Sequence, residues 1–412
     1  MNKVILIVCI VALALSAQVY LVSPAYAGKP SPPTGEKLPW GVDRIDADRV
    51  WDKDPADLNV DPGANTGLGI RVAVLDTGVS YHPDLNVTNG RNFVDLLPDE
   101  SDNNYHNDID GHGTAIAGII AAVDNEEGYI GVGPGIEIYA VRFIKYKGGP
   151  VAPDVGTNYA DPASYRYTDL YEAMRWCIDN NMQVISISFG IWTVKDASIT
   201  AVAPLHDPNF YRLIKEAYNK GIVIVSAAGN GVGVTNGNGR SIKTYDNPPL
   251  DGLPFITSLD YDFPVSYPEV ITVSATGIRT LKGKPGERQT VDYFPAFSNF
   301  GPKIDLAAPG VAVEVPTKSG GYGLFSGTSG AAPHVAAVAA LVLKQMGETD
   351  PRPGLPESVR TRLKDKAEIL SNLTSDQQGA GLVDAENAVL GSWPAPSRQP
   401  KLSVTWGEIK IK

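Results

Sequence analysis

Short runs of apolar, mostly β-branched residues recur along the chain, and stretches with helical periodicity lie between several of them. Such nearly continuous hydrophobicity is typical of strands that are buried on both faces. Strands that alternate with helices indicate a parallel sheet covered by helices on both sides. We therefore predict an α/β fold of three layers with a mostly parallel central sheet. The predicted strands are Ile70–Leu75, Ile136–Val141, Val184–Ile187, Ile222–Ser226, Val270–Ser274 and Ile304–Ala307, and the predicted helices are Thr114–Val123, Asp169–Asn180, Asn209–Lys220 and Ala331–Met346.

The segment F-S-G-T-S-G-A-A-P-H-V-A-A-V-A-A, residues 325–340, predicts a tight turn that runs into a closely packed helix. Ser329 lies near the start of that helix, where free N–H groups and the helix dipole favour a developing anion. Taken alone, Ser329 could equally be a capping residue of a buried helix. Asp76, at the end of a predicted strand, and His112, in D-G-H-G-T, complete the order Asp, His, Ser, which is one of the known arrangements of a catalytic triad.

The net charge and the N-terminal sequence indicate which classes of binding partner are excluded and in which compartment the protein acts. The 412 residues carry a net charge of -11, which argues against binding to nucleic acid or to an anionic membrane surface. Residues 1–27 resemble a secretory signal that ends in Ala25-Tyr26-Ala27, so we predict a secreted protein. Because Tyr20 to Val22 prolong the apolar stretch, an uncleaved membrane anchor is the alternative. Cys177 is the only cysteine after this segment, and the mature chain therefore has no internal disulfide.

The domain organisation that we predict has three parts. Residues 1–27 are the signal peptide, residues 28–391 are one catalytic domain, and residues 392–412 are a Pro-rich tail that ends in an alternating, strand-like segment. The tail could pack on the body as an edge strand or remain loose. Within the domain, residues 38–51 are predicted to form a short amphipathic segment on the surface, and the acidic run from Asp95 to Asp110 is predicted to be a solvated loop, with an ion site as the alternative.

Four motifs together are similar to those of the subtilisin-like serine proteases, over residues from about Leu38 to about Leu390. They are V-A-V-L-D-T-G-V, D-G-H-G-T-A-I-A-G, A-A-G-N and F-S-G-T-S-G-A-A-P-H-V-A-A. The resemblance implies that Ser329 is a nucleophile, that His112 is its base and that Asp76 orients the imidazole. It also implies that the Asn230 side chain and the Ser329 N–H group form an oxyanion hole.

The same resemblance implies a groove in which an extended peptide binds as an added strand. Ser188, Phe189 and Gly190 would line one wall of the pocket for the residue before the scissile bond, and Ala227, Ala228 and Gly229 would line the other. The walls carry no charge, so an apolar or permissive preference is expected, although the insertion of residues 231–266 falls where the family has the floor of this pocket. Tyr167 and Leu170 could shape a more distant subsite.

A structural calcium site is also implied by the resemblance, and no organic cofactor is expected. The ligands would be the Asn125 side chain, the carbonyl groups of Val123, Glu127 and Tyr129, and the carboxylates of Asp84 and Glu36. Oxygen donors of this kind suit Ca²⁺. A solvated acidic loop is the alternative.

Two departures from the family pattern stand out. Gly330 follows the predicted nucleophile where the family usually has Met, and it is expected to loosen the packing behind Ser329. Many secreted relatives carry a long inhibitory pro-segment, whereas about a dozen residues separate the predicted cleavage site from Pro39. We therefore expect unaided folding that Ca²⁺ could drive, a helper in trans, or another origin of the active enzyme.

The function that we predict is a secreted serine endopeptidase that acts on polypeptides through an acyl-enzyme intermediate. A monomer is expected, but the sequence does not give the oligomeric state. One alternative is a processing protease of narrow specificity, anchored to the membrane if the signal is not cleaved. Another is a peptide-binding module whose triad is catalytically idle.

Overall fold

The structure, a computed structural model, describes residues 35–52, 59–94, 104–144, 167–189, 207–230, 267–282 and 288–391. The predicted signal, Gly190, the insertion of residues 231–266 and the tail of residues 392–412 lie outside this part of the chain. The strands are β1 Arg71–Asp76, β2 Val87–Asn92, β3 Glu137–Arg142, β4 Val184–Ile187, β5 Val223–Ala227, β6 Ile271–Lys282, β7 Arg288–Tyr293, β8 Leu306–Pro309, β9 Val313–Pro316 and β10 Tyr322–Phe325.

Helices alternate with the strands from β2 to β5, strands β6 to β10 then follow one another, and four helices end the described chain. The helices are α1 Trp40–Arg44, α2 Asp48–Trp51, α3 His112–Ala121, α4 Tyr167–Asp179, α5 Pro208–Lys220, α6 Thr328–Gln345, α7 Leu355–Lys366, α8 Ser375–Gln378 and α9 Ala385–Leu390. Within the ranges given above, no helix has both the length and the apolar character that crossing a bilayer requires.

The central sheet has the strand order β2-β3-β1-β4-β5-β6-β7, with β8 also paired to β6. Its pairs are parallel except for β6 with β7, which run antiparallel. Alternate residues of β1 enter different cores: Val72 and Val74 pack with α3 and α6, whereas Ala73 and Leu75 pack with α4 and α5. This alternation explains why every residue from Val72 to Leu75 is apolar and confirms the three-layer α/β fold.

The N-terminal segment corrects one expectation. Residues 38–51 were predicted to lie on the surface, but α1 and α2 are part of the core, where Trp51 is fully buried and Ile45 is nearly so. The polar face of this segment is also occupied, because Arg44 pairs with Asp292 and Glu368 at 2.6 Å and 2.7 Å. The charges that suggested a solvated face are therefore partners of distant carboxylates.

A small cavity lies between α1, α3 and the hairpin of β9 and β10, and two buried titratable side chains line it. Glu314 of β9 accepts a hydrogen bond from the Trp40 N–H group at 3.4 Å. His334 of α6 contacts the Gly330 carbonyl group through Nδ1 at 2.7 Å. Burial raises the pKa of the Glu314 carboxyl to about 7 and lowers the pKa of His334 to about 4, so both side chains favour their neutral forms.

We expect the substitution Glu314→Gln to stabilise the protein only at higher pH. The folded state keeps the Glu314 proton up to about pH 7, whereas the unfolded state releases it near 4.5, so this contribution to stability is complete below 4.5 and is lost as the pH rises to 7. A neutral glutamine avoids the loss, which is at most about 3 kcal/mol. Thermal unfolding at about pH 4.5 and about pH 8 measures the difference.

Glu357→Gln, on the exposed side of α7, is the matched control for the change from carboxylate to amide. A gain for Glu314→Gln that is equal at both pH values, or absent at the higher one, would contradict the prediction.

Candidate active site

The residues predicted to act in catalysis meet at one edge of the sheet. Asp76 is the last residue of β1, Ser188 follows β4, and Asn230 lies three residues beyond β5. These strands run parallel, so their carboxyl ends lie on the same side. Ser329, the second residue of α6, also reaches this edge, because its hydroxyl group donates to the Ser188 carbonyl group at 3.2 Å.

His112 is the first residue of α3 and is bonded to Asp76. Its Nδ1 atom lies 2.8 Å from one carboxylate oxygen of Asp76 and 2.9 Å from the other. The N–H group of Thr77 donates to the same carboxylate at 2.7 Å. Gly113 permits this approach, because a Cβ atom there would lie 2.1 Å from the Gly78 carbonyl oxygen. An ionised Asp76 therefore selects the tautomer of His112 that carries a proton on Nδ1.

A carbonyl group of α6 that lacks its helical hydrogen-bond partner helps to position Ser329. Pro333, four residues further along α6, has no N–H group and leaves the Ser329 carbonyl without its usual helical partner. The hydroxyl group of Ser188 donates to that carbonyl at 3.2 Å, while Ser329 donates to the Ser188 carbonyl. The two serines thus tie the start of α6 to the end of β4.

The amide group of Asn230 has a defined orientation. Its Oδ1 atom accepts hydrogen bonds from the N–H group of Thr328 at 2.8 Å and from the Thr328 hydroxyl at 3.0 Å. The Thr328 hydroxyl in turn accepts from the Gly229 N–H group at 3.0 Å. Because the Oδ1 atom already accepts from these two donors, the Nδ2 atom is the part of the Asn230 amide that can still donate a hydrogen bond. Nδ2 lies 3.3 Å from where a Cβ atom added to Gly327 would stand. A side chain at residue 327 would crowd this donor.

Phe325 fills the space behind the nucleophile. Its ring packs edge-on against the His112 ring with centroids 5.4 Å apart. A Cβ atom on Gly330 would lie 3.1 Å from the same ring. The expectation that Gly330 loosens the packing is therefore wrong, because the aromatic ring occupies the room that a side chain at residue 330 would need.

Asp108 is a buried member of the site region that the sequence prediction missed. It lies in the acidic run that was predicted to be a solvated loop, yet it is 3% exposed. Its carboxylate accepts from the N–H groups of Gly111 and Thr114 at 2.7 Å and 2.9 Å. Asp108 lies three residues before Gly111, which occupies the N-cap position, so the usual signal of a capping residue directly before a helix does not identify it.

The predicted walls of the substrate pocket are at this edge as well. Ala228 and Gly229 follow β5, and Asn299 binds both of them, with its Nδ2 atom on the Ala228 carbonyl at 2.9 Å and its N–H group on the Gly229 carbonyl at 3.0 Å. Ala227 is the last residue of β5 and is buried. The Phe189 ring packs against Phe143 in the core, so only its main chain is available to a substrate.

The more distant subsite needs one correction. Tyr167 is 37% exposed, which leaves its ring accessible at the start of α4. Leu170 is fully buried among core residues, and its side chain therefore does not line a subsite.

The predicted calcium ligands come from three segments that lie side by side. The Asn125 N–H group donates to the Glu36 carboxylate at 3.0 Å, and its amide group lies 3.3 Å from the Asp84 carboxylate. The Tyr129 N–H group donates to Asp84 at 3.2 Å. Val123 and Glu127 belong to the same loop, and the Val123 N–H group donates to the Asp84 carbonyl at 2.9 Å.

The acid groups of this cluster favour a cation. Burial, together with the charges of Asp124 and Asp84, raises the pKa of the Glu36 carboxyl to about 8. A bound cation would relieve this repulsion, so the donor set fits Ca²⁺. Among the described residues no group of three or more His, Cys, Asp or Glu side chains could hold a metal ion, and the candidate site instead combines two carboxylates with amide and carbonyl oxygens.

Comparison with known proteins decides the family. Residues 67–381 match the sequence profile of the subtilase family. The chain belongs to the subtilase family. It is 31% identical to the alkaline elastase YaB of Bacillus sp. (strain YaB) over 356 residues, which cover 86% of this chain and 71% of that protein. It is 30% identical to subtilisin E of Bacillus subtilis (strain 168) over 355 residues, with the same coverage of both chains.

A third relative, subtilisin Savinase of Lederbergia lenta, is 30% identical over 354 residues, which cover 86% of this chain and 99% of that protein. Family membership and these relatives establish the subtilase as a serine endopeptidase and confirm the family resemblance of the four motifs.

The contact between Phe325 and Gly330 generates a prediction about stability. We expect Gly330→Met to destabilise the subtilase by about 1–3 kcal/mol, because the new side chain overpacks the site of the ring. In a Phe325→Ala background the same change should be nearly neutral, because the ring is gone. Urea unfolding of the two single variants, the double variant and the parent gives the coupling energy. Additive effects of the two substitutions would contradict the prediction.

Proposed function

We propose that Asp76, His112 and Ser329 are the catalytic triad of this serine endopeptidase and that Asn230 supplies the side-chain donor of its oxyanion hole. The observation that carries the proposal is the bond between His112 Nδ1 and Asp76 at 2.8 Å, made where α6 brings Ser329 to the same edge of the sheet. The orientation of the Asn230 amide supports the second part, because its oxygen is already bonded to Thr328.

The chemistry that follows is acyl transfer. The Ser329 hydroxyl turns from the Ser188 carbonyl toward Nε2 of His112, which takes its proton as Ser329 Oγ attacks the peptide carbonyl carbon. Asp76 stabilises the imidazolium that forms, and Asn230 Nδ2 with the Ser329 N–H group stabilises the oxyanion. His112 then protonates the leaving amine, the C–N bond breaks, and water hydrolyses the acyl-enzyme by the same steps with water as nucleophile.

The substrates that we propose are extended polypeptides, with an apolar or permissive preference next to the scissile bond. The described walls, Ser188 with the main chain of Phe189 on one side and Ala227 to Gly229 on the other, carry no charge. We further propose that residues 1–27 direct secretion and that residues 28–391 form the catalytic domain. Cleavage of many sites in an unfolded protein supports a general endopeptidase, whereas cleavage at a few defined sites would favour a processing enzyme.

A fluorophosphonate probe tests the triad directly. We expect one covalent adduct per molecule, located at Ser329 by peptide mass spectrometry, and no adduct in Ser329→Ala. Asn230→Ala should lower kcat by about 100- to 1,000-fold with little change in KM, because its amide bonds the oxyanion and not the ground-state carbonyl. Asn180→Ala, at the end of α4, is the control and should leave kcat unchanged.

Lack of an adduct in folded wild-type protein would reject the triad and support the idle peptide-binding module. An Asn230→Ala variant with unchanged kcat would reject only the role of Asn230.

The calcium site that we propose uses Glu36, Asp84, the Asn125 side chain and the carbonyl groups of Val123, Glu127 and Tyr129. We expect Ca²⁺ at about 100 times its Kd to stabilise the protein by about 2.7 kcal/mol relative to chelator. Asp84→Ala should remove most of this difference, and Asp376→Ala, on exposed α8, should retain it. Thermal unfolding in the Ser329→Ala background measures the effect without autolysis. An equal calcium response in Asp84→Ala would show that the ion binds elsewhere.

A further inference from the structure

Asp108 connects the two segments that carry Asp76 and His112. On one side its carboxylate accepts from the hydroxyl group of Thr77, the residue that follows Asp76, at 2.8 Å. On the other side it accepts from the N–H group of Gly111, which precedes His112, at 2.7 Å. The N–H group and the hydroxyl group of Thr114 also donate to it. One buried carboxylate therefore spans the gap between β1 and the first turn of α3.

The hydrogen-bond partners of Asp108 favour its ionised form. The Thr77 hydroxyl accepts from the Gly113 N–H group at 2.9 Å, and the Thr114 hydroxyl accepts from the Ser80 N–H group at 2.9 Å. Both hydroxyl protons are thus available for Asp108, and all four of its bonds come from donors. Burial raises the pKa of Asp108, and the four bonds oppose that rise. A protonated carboxyl would place its own O–H group among donors, without an acceptor.

We propose that Asp108 is a positioning residue that fixes the distance between the Asp76 carboxylate and the His112 imidazole. The inference rests on the proposed triad. The Thr77 N–H group donates to Asp76. Because the Asp108 carboxylate accepts from the Thr77 hydroxyl, it also restrains the end of β1 that carries Asp76. The same carboxylate caps α3 and matches the positive end of its dipole, which sets where His112 begins the helix. Asp108 acts through Thr77, Gly111 and Thr114 and does not itself contact the reacting atoms.

A positioning role and a substrate-binding role of Asp108 predict different effects on kcat and KM. The predicted substrate walls follow β4 and β5, and Asp108 bonds to neither of them. Its loss should therefore disturb proton transfer and leave the affinity for substrate nearly unchanged. We expect Asp108→Asn to lower kcat by about 10- to 100-fold, with KM within about threefold, because an asparagine Nδ2 cannot accept from the Thr114 groups and the pair shifts out of alignment.

The test compares Asp108→Asn with Asp384→Asn at a temperature where both are folded by circular dichroism. Asp384 is a matched control because it is also a buried carboxylate that caps a helix, accepting from the Asn387 N–H group at 2.8 Å at the start of α9. Asp384→Asn should lose stability and keep its kcat. Full kcat in Asp108→Asn, beside wild-type protein that the fluorophosphonate labels at Ser329, would overturn the inference and leave the triad intact.

A second pair of variants keeps the inference testable if Asp108→Asn does not fold. Thr77→Val removes the hydroxyl that joins Asp108 to β1 but preserves the shape of the side chain, and kcat should fall by about tenfold without a matching rise in KM. Thr77→Ser restores the hydroxyl and should restore kcat. Equal kcat values for the valine and serine variants, or a valine variant with the kcat of the parent, would overturn the inference, because the Thr77 hydroxyl would then have no effect. Absence of labelling in wild-type protein would instead reject the triad.

Discussion

The close packing of helix α6 through the middle of the domain is the constraint on which the site depends. Every residue from Thr328 to Leu343 is buried, and residues 329–332 are Ser, Gly, Ala and Ala, whose small side chains let the helix lie against the sheet. A helix buried on all sides cannot shift along its axis without opening the core on both ends. The start of α6, and with it Ser329, is therefore fixed relative to the ends of β4 and β5, where the other groups of the site stand.

Two buried carboxyl groups, Asp108 before α3 and Glu314 of β9, differ in the number of hydrogen bonds that they accept. Asp108 receives four hydrogen bonds from donors, which compensate an ionised group taken out of water. Glu314 accepts from the Trp40 main chain beside a small cavity, and burial raises its pKa to about 7. Burial raises the pKa of both carboxyl groups, and the hydrogen bonds from four donors oppose that rise at Asp108.

The sequence predicted β1, β3, β4, β5, β6 and β8 with starts within two residues, because residues that face two cores must all be apolar. It missed β7 and the edge strand β2, most of whose residues are not buried, and β6 extends eight residues beyond its predicted end. The order of the motifs predicted the residues that meet at the sheet edge for a similar reason, since parallel strands deliver their carboxyl ends to one side. The hairpin of β9 and β10 was not predicted, because its four-residue strands carry little periodic signal. Asp108 was missed because neighbouring acidic residues made its capping position look like part of a solvated loop.

In the described part of the chain, noncovalent interactions rather than a disulfide hold the N-terminal segment to the domain. Cys177 is a free, buried cysteine, so the described chain holds this segment by other means. Burial lowers the pKa of Arg44, but the carboxylates of Asp292 and Glu368 outweigh it and raise that pKa, so the guanidinium stays charged between two acids. The pair is only partly buried, since 21% of the Arg44 side chain and 12% of the Asp292 side chain are exposed, so its loss should cost less than that of a fully buried pair. Glu36, eight residues earlier in the chain, is a ligand of the proposed calcium site. The segment would thus be fixed by an ion pair at one end and by a metal ion at the other, and release of calcium would free only the part before α1.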